Sequence, residues 1–182
     1  SNGVDSTIFY DKKIKREKQI LSVGNIRWQK GYEYLMDAAN LFLSQHADYK
    51  LVIIGSGSQE NIDLLKSRLK KTLRDRVKFV GVKSQRQVNH IMNTSKLLIL
   101  SSISEGLPKV LIESQAAGLP IVTTDVGDCA EIVSDSGLVV DCKDSGAISD
   151  AVHSIIQNAD DYKKLQENCV SNAQNFSWTA VV

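Results

Sequence analysis

The stretch Lys96-Leu-Leu-Ile-Leu100-Ser-Ser-Ile-Ser-Glu105-Gly-Leu-Pro108-Lys-Val-Leu-Ile-Glu113-Ser-Gln-Ala-Ala-Gly118-Leu-Pro120-Ile-Val-Thr-Thr124 contains a complete strand–turn–helix–strand unit. Its ends are apolar runs of strand length. Pro108 suits the first helical position, where a missing N–H is no loss, and Gly118 before Leu119-Pro120 stops the helix. Glu105 stands at the lip of the turn, and Glu113, eight positions on, falls in the second helical turn. Between them lie N–H groups that a helix start leaves unbonded, and these attract an anion. Each carboxylate can accept from hydroxyls. A phosphate flanked by two hydroxyl-rich groups describes a nucleotide sugar.

Further apolar runs bounded by turn residues lie at Gln19–Val23, Lys50–Ile54, Val77–Val80 and Leu138–Val140. With Lys96–Leu100 and Pro120–Thr124 they predict six strands. The segments between them have helical period; Ile62, Leu65, Leu69 and Leu73 predict one amphipathic helix with basic residues on its other face. Two consecutive helices are predicted at Ala147–Ile156 and Asp160–Asn175. Strands alternating with helices imply right-handed crossovers. The fold class is α/β: a Rossmann-like, doubly wound, parallel six-stranded sheet with helices on both faces. Residues 1–18 read as an irregular lead-in and residues 19–182 as one domain, without repeats.

Glycines mark one edge of that sheet. Gly24, Gly31, Gly55, Gly57, Gly81, Gly106 and Gly127 follow strands or sit in the next turn, where open parallel sheets bind ligands. Several familiar sites are excluded. Gly55-Ser-Gly57-Ser-Gln-Glu60 has Glu60 where a dinucleotide fingerprint needs its third glycine, and no NTPase phosphate loop, nucleophile elbow or Asp-x-Asp pair occurs. No metal is therefore expected to hold a diphosphate, and its charge must be met by basic side chains and backbone amides. Gly24-Asn25-Ile-Arg27-Trp-Gln-Lys30-Gly31 places two such cations in a short loop expected opposite Pro108. Lys30 offers a mobile ammonium and Arg27 a fork of donors.

The 182 residues, 42% of them apolar, suffice for a substantial core. No run approaches the roughly 18–20 apolar residues that span a bilayer, and no signal peptide opens the chain. Ser1 in place of Met is expected of a fragment. Cys129, Cys142 and Cys169 match no metal spacing and read as reduced thiols of a cytoplasmic protein; His46, His90 and His153 are scattered, which argues against a metal site. Net charge is +1, yet residues 1–91 hold 17 Lys/Arg against 9 Asp/Glu and residues 92–182 hold 5 against 12. The excess lies in Lys12–Lys18 and around Lys66, Arg68, Lys70, Lys71 and Arg74. A solvated face accounts for both; peripheral contact with an anionic membrane surface, at its inner face, is the sharper alternative. Aromatics do not interleave with the bases, so nucleic acid is not an expected partner.

These residues resemble the retaining nucleotide-sugar glycosyltransferases of the GT-B architecture called glycosyl transferases group 1, specifically their C-terminal, donor-binding half. The similarity runs from Asn2-Gly-Val-Asp5 and Phe9 to Phe176-Ser-Trp178. It includes the Gly24…Lys30-Gly31 loop, Ile54-Gly-Ser-Gly57, Phe79-Val-Gly81, Ser104-Glu-Gly-Leu-Pro108, Glu113-Ser-Gln-Ala-Ala-Gly-Leu-Pro120, and Asp125-Val-Gly127 through Glu131. The resemblance implies that Glu105, with the Gly106 and Leu107 amides, meets hydroxyls of the donor sugar. It implies phosphate contacts from the Lys109 and Val110 amides, ribose contacts from Glu113, and stabilisation of the leaving diphosphate by Lys30. Gly24 and Asn25 would lie against the donor, and the backbone of Val80, Gly81 and Val82 would face the nucleobase. Asn25 stands where the family commonly has Arg, a place Arg27 would take, and Asp128 stands where it has a second glycine.

The family's N-terminal acceptor domain, with its catalytic histidine, has no counterpart in these residues. The chain is expected to bind donor without catalysing transfer alone. The acceptor would be a glycan or lipid-linked compound, as in polysaccharide or glycolipid biosynthesis. A sugar-nucleotide epimerase half-domain and a non-catalytic nucleotide-binding module are the alternatives. The former needs ionisable groups for proton abstraction, and the latter has no use for Glu105.

Overall fold

The computed structural model describes residues 3–176, so Asn2 at one end and Ser177-Trp178 at the other lie outside the described residues. Six parallel strands form one sheet: β1 (Gln19–Val23), β2 (Lys50–Ile54), β3 (Val77–Phe79), β4 (Leu97–Leu100), β5 (Ile121–Thr124) and β6 (Gly137–Val140). Their spatial order is β3-β2-β1-β4-β5-β6. The chain thus winds outward from β1 to one edge, returns to β4, and winds to the other. A crevice opens where the direction reverses, at the carboxyl ends of β1 and β4.

The helices are α1 (Tyr32–Gln45), α2 (Gln59–Arg68), α3 (Gln85–Thr94), α4 (Lys109–Ala116), α5 (Cys129–Val133), α6 (Ser145–Gln157) and α7 (Ala159–Ala173). Alternation along each strand divides the apolar side chains between two faces. Ile20, Ile53, Ile99 and Val122 pack with Leu35, Phe42 and Val152 of α1 and α6. Leu21, Val52, Leu98 and Ile121 pack with Met92, Leu111 and Ile132 of α3, α4 and α5. Both faces are buried, as a parallel sheet requires.

Two local readings are corrected. The predicted single helix through Leu73 is broken: α2 ends at Arg68, Leu69 is extended, and Leu73 lies in a 3-10 turn at Lys71–Arg76. Asn40 of α1 stabilises the break, its side chain donating to Arg68 O and accepting from Lys70 N–H at 2.9 and 2.8 Å. Leu65, Leu69 and Leu73 nevertheless reach the same core. Pro108 is the N-cap of α4, and Lys109 is its first helical residue.

The lead-in carries no helix or extended strand but is tightly held. Val4 and Phe9 are buried in the second core, and Val4 N–H donates to Phe176 O at 2.8 Å. The Arg16 guanidinium donates to four carbonyls, those of Met92, Ser95, Ala117 and Gly118, at 2.7–3.0 Å. One side chain thereby caps the ends of α3 and α4 together.

Candidate functional site

The two central loops meet in the crevice. After β1 the chain forms a 3-10 turn, Trp28–Lys30, ending at Gly31 with φ +59°. A Cβ at Gly31 would lie 2.1 Å from Ser101 O, so only glycine lets the loops approach this closely. Ile103 N–H donates to Gln29 O at 2.7 Å, and Ser101 Oγ donates to Lys30 O at 2.9 Å. These bonds place Lys30 beside the loop after β4. Its Nζ lies 2.5 Å from Glu105 Oε1, which also accepts from Ser102 Oγ at 2.5 Å. The Glu105 side chain is only 10% exposed, so this pair is shielded from solvent.

Between the acids, the amides are free. Neither Gly106, Leu107, Lys109 nor Val110 donates its backbone N–H to any described residue. Leu111 N–H turns back to Pro108 O at 3.0 Å. Glu113 is half-buried, and its carboxylate has no hydrogen-bond or ion-pair partner among the described residues. Burial pushes its carboxyl above the ordinary range, and the nearby Lys109 ammonium offsets part of that rise. The element therefore offers four bare donors, a carboxylate already oriented by two donors, and a second carboxylate awaiting them.

The neighbouring loops complete the rim. Gly24 N–H donates to Ile54 O, and Tyr32 Oη donates to Gly24 O at 2.7 Å. Burial raises the Tyr32 phenol well above its usual value, which keeps it a neutral donor. Asn25 is exposed, and its Oδ1 accepts from Ser56 Oγ at 2.8 Å. Gly55 accepts no side chain, because a Cβ there would lie 1.9 Å from Gly24 O. Val80 is half-buried, Gly81 has φ +70° with its oxygen accepting from Gly55 N–H, and Val82 is 71% exposed. A Cβ on Gly127 would lie 2.4 Å from Glu105 O, so the loop after β5 rests on the same turn.

Arg27 is not brought to the Lys30–Glu105 pair. Its side chain makes no hydrogen bond among the described residues and lines a cavity of about 530 Å3 with Trp28, Glu33, Asn61 and Leu64, between the first loop and α2. Ser102, Ser101 and Tyr32 are positioning residues that the sequence reading missed. The serines follow β4 directly in Ser-Ser-Ile-Ser-Glu105, where small hydroxyls beneath a lone carboxylate were the available signal. The scattered histidines are not all apart: His46 Nε2 and His153 Nδ1 lie 3.0 Å from one another, far from these loops in sequence. Among the described residues, no group of three His, Cys, Asp or Glu could hold a metal ion, and no helix is long and apolar enough to cross a membrane. The three thiols are unpaired.

The model of the family described as glycosyl transferases group 1 matches residues 5–176. An uncharacterized glycosyltransferase of Methanocaldococcus jannaschii is 31% identical over 89% of this chain and 42% of its own length. The HepE protein of Anabaena, solved in complex with UDP, superposes with a TM-score of 0.86 at 19% identity, over 99% of this chain and 53% of that one. A C-terminal domain of a glycosyl transferase group 1 protein from Francisella tularensis superposes with a TM-score of 0.82 at 21% identity, over 95% of this chain and 97% of that one. The chain thus spans about half the length of its longer relatives and matches the fold of an isolated C-terminal half.

Proposed function

We propose, because the chain belongs to the glycosyl transferases group 1 family, that it is the donor-binding half of a retaining sugar-transfer enzyme. The donor is a nucleoside diphosphate sugar, and UDP is the first nucleotide to test because HepE was solved with it. The observation that carries this reading is the run of free Gly106, Leu107, Lys109 and Val110 amides between Glu105 and the unpartnered Glu113. Phosphate sits on the amides, the ribose hydroxyls donate to Glu113, and the sugar hydroxyls donate to Glu105.

Lys30 exchanges partners as the donor enters. Its flexible stem lets the ammonium turn from Glu105 to the diphosphate, which leaves Glu105 free to accept from the sugar. During transfer the bond from the anomeric carbon to the phosphate oxygen breaks, a bond to the acceptor oxygen forms, and the acceptor hydroxyl releases its proton to solvent. The nucleoside diphosphate leaves with an added negative charge. Lys30 and the amides stabilise that charge, so no divalent metal is needed. The acceptor, a glycan or lipid-linked compound, belongs to the half of the protein that this chain does not include.

Calorimetric titration in chelator-treated buffer tests the reading. UDP and UDP-glucose are expected to bind, and a ligand at 100 times its Kd adds about 2.7 kcal/mol of stability. The absence of heat or melting shift with every nucleoside diphosphate and sugar nucleotide at millimolar concentration would remove it. Acceptors mixed with donor and this chain alone are expected to yield no product.

A further inference from the structure

Seven of the basic residues concentrated in the first half of the chain are already engaged. Arg16 is committed to four carbonyls, Lys13 pairs with Asp11, and Lys18 pairs with Asp48. Around α2, Arg68 pairs with Asp37, and Lys66 lies 5.8 Å from the centre of the Phe79 ring. Arg74 donates to Leu69 O, and Arg76 to the carbonyls of Leu43, His46 and Tyr49.

Three cations whose side chains form no ion pair and no hydrogen bond among the described residues converge elsewhere. Lys12, Lys83 and Arg86 line a cavity of about 410 Å3 with Gln87, His90 and Ile91, along the outer face of α3. None of the three makes an ion pair with a described carboxylate. The acid that senses Arg86 is Asp5, whose carboxylate accepts from the Thr7 amide and hydroxyl and is influenced mainly by them. Lys12 is anchored, its N–H donating to Asn93 Oδ1 at 2.7 Å and its ammonium lying 5.9 Å from the Tyr10 ring centre. The helix wall is equally fixed: Ser84 and Gln87 close a capping box at the start of α3. Arg86 and His90 then follow one turn apart on the same face.

We infer that this cavity is a second ligand site, specific for a phosphate ester. Arg86 supplies a planar fork, Lys12 and Lys83 supply point charges, and His90 adds an imidazole N–H. Gln87 keeps its amide N–H groups available, because only its oxygen is used by Ser84 N–H. The cavity exceeds the size of a bare phosphate, and Ile91 gives it an apolar wall suited to a carbon skeleton. The phosphate can belong to a soluble ester or to a lipid headgroup at a bilayer surface. Gathering three like charges costs electrostatic energy that a bound phosphate offsets. None of these residues is among those placed at the donor, but Lys83 directly follows Val82, so Arg86, Gln87 and His90 on α3 are the ones that distinguish the two sites.

The test is a residue-resolved NMR titration of the 182-residue chain with inorganic phosphate, paired with sedimentation on vesicles. Saturable amide shifts are expected at Lys83, Arg86, Gln87 and His90, apart from any at residues 106–113. The double variant Lys83→Gln/Arg86→Gln is expected to weaken them about tenfold or more with an unchanged melting temperature, as charge-assisted bonds are lost. Binding of the wild type, and not of the double variant, to phosphatidylcholine vesicles with about 30% phosphatidylserine identifies a headgroup as the source. Phosphate shifts without vesicle binding identify a soluble phosphate compound, and not a headgroup, as the source. Failure of both measurements, or shifts that sodium chloride reproduces at equal ionic strength, overturns the site.

Discussion

Lys30 Nζ and Glu105 Oε1 lie 2.5 Å apart, so the two side chains assigned to opposite parts of a sugar nucleotide are counter-ions of each other. The contact ties the loop after β1 to the loop after β4, across the point where the sheet reverses direction. It orients both groups toward one crevice and keeps either from standing uncompensated in a shielded place.

Lys30→Ala is expected to weaken UDP binding by about 1.5–3 kcal/mol, the range for hydrogen bonds to charged groups. Binding of uridine, which has no phosphate, should scarcely change. Arg27→Ala serves as the comparison, because its side chain lines the cavity beside α2 and should leave UDP binding unchanged. Calorimetry with the two ligands decides; equal losses for both in Lys30→Ala would indicate a damaged loop.

Glu105→Gln separates sugar from phosphate. The variant loses the charge that holds Lys30, so UDP binding should be maintained or strengthened. The preference for UDP-glucose over UDP should fall by about 1–3 kcal/mol, as an acceptor for sugar hydroxyls is lost. Weakening of both ligands to the same extent would assign Glu105 to loop structure alone.

The sheet was legible because every strand is a short, nearly continuous apolar run, and Ile121–Thr124 or Lys50–Ile54 leave little else for a chain to do. Period alone could not show that α2 stops at Arg68, because the break depends on Asn40, which lies in another helix. The Glu105–Glu113 element was readable for the same reason as the strands: its spacing is local. The Lys30–Glu105 contact, the Ser102 hydroxyl beneath it, and the His46–His153 pair join residues 75, 3 and 107 positions apart. Only the folded topology brings the first and last of these together, and the lead-in that reads as irregular owes its order to Arg16 and distant carbonyls.

The histidine pair predicts a pH dependence of stability. Burial, and then the neighbouring His153, hold His46 below its ordinary value of 6.5. A depressed histidine binds fewer protons folded than unfolded, so its contribution is intact above that ordinary value and is lost as pH falls through the lowered one. Melting temperature should therefore drop on acidification from about pH 7 to pH 5, and His153→Gln should flatten the slope. Parallel curves for wild type and variant would show that the pair is not the cause.

Arg16 carries a larger structural role than its place in a basic run suggests. Arg16→Met leaves carbonyls at the ends of α3 and α4 without their donor, at a cost of about 2–4 kcal/mol. The corresponding fall in melting temperature is about 5–12 °C for a chain of this size. Arg16→Lys keeps the charge without the planar fork and should fall between the two. Thermal melts of the three proteins check the order, and identical melts for Lys and Arg would mean that charge alone matters.

Glu113 should oppose stability to binding. Burial raises its folded value above the ordinary value of 4.5, so the carboxyl binds its proton more tightly in the folded state. Stability from such a group is present below the unfolded value and lost as pH rises through the folded one. At neutral pH the ionised carboxylate therefore costs stability, and Glu113→Gln should melt higher than wild type, with the difference vanishing in acid. The same variant loses one acceptor and the charge, so UDP and UDP-glucose should both weaken by about 1–3 kcal/mol, and by equal amounts, because the ribose is common to both. A carboxylate kept for structure would give the opposite pair of results, a lower melting temperature and unaltered binding. Melts at two pH values and titrations with the two ligands distinguish the cases, and a variant that melts lower while binding normally would remove Glu113 from the site.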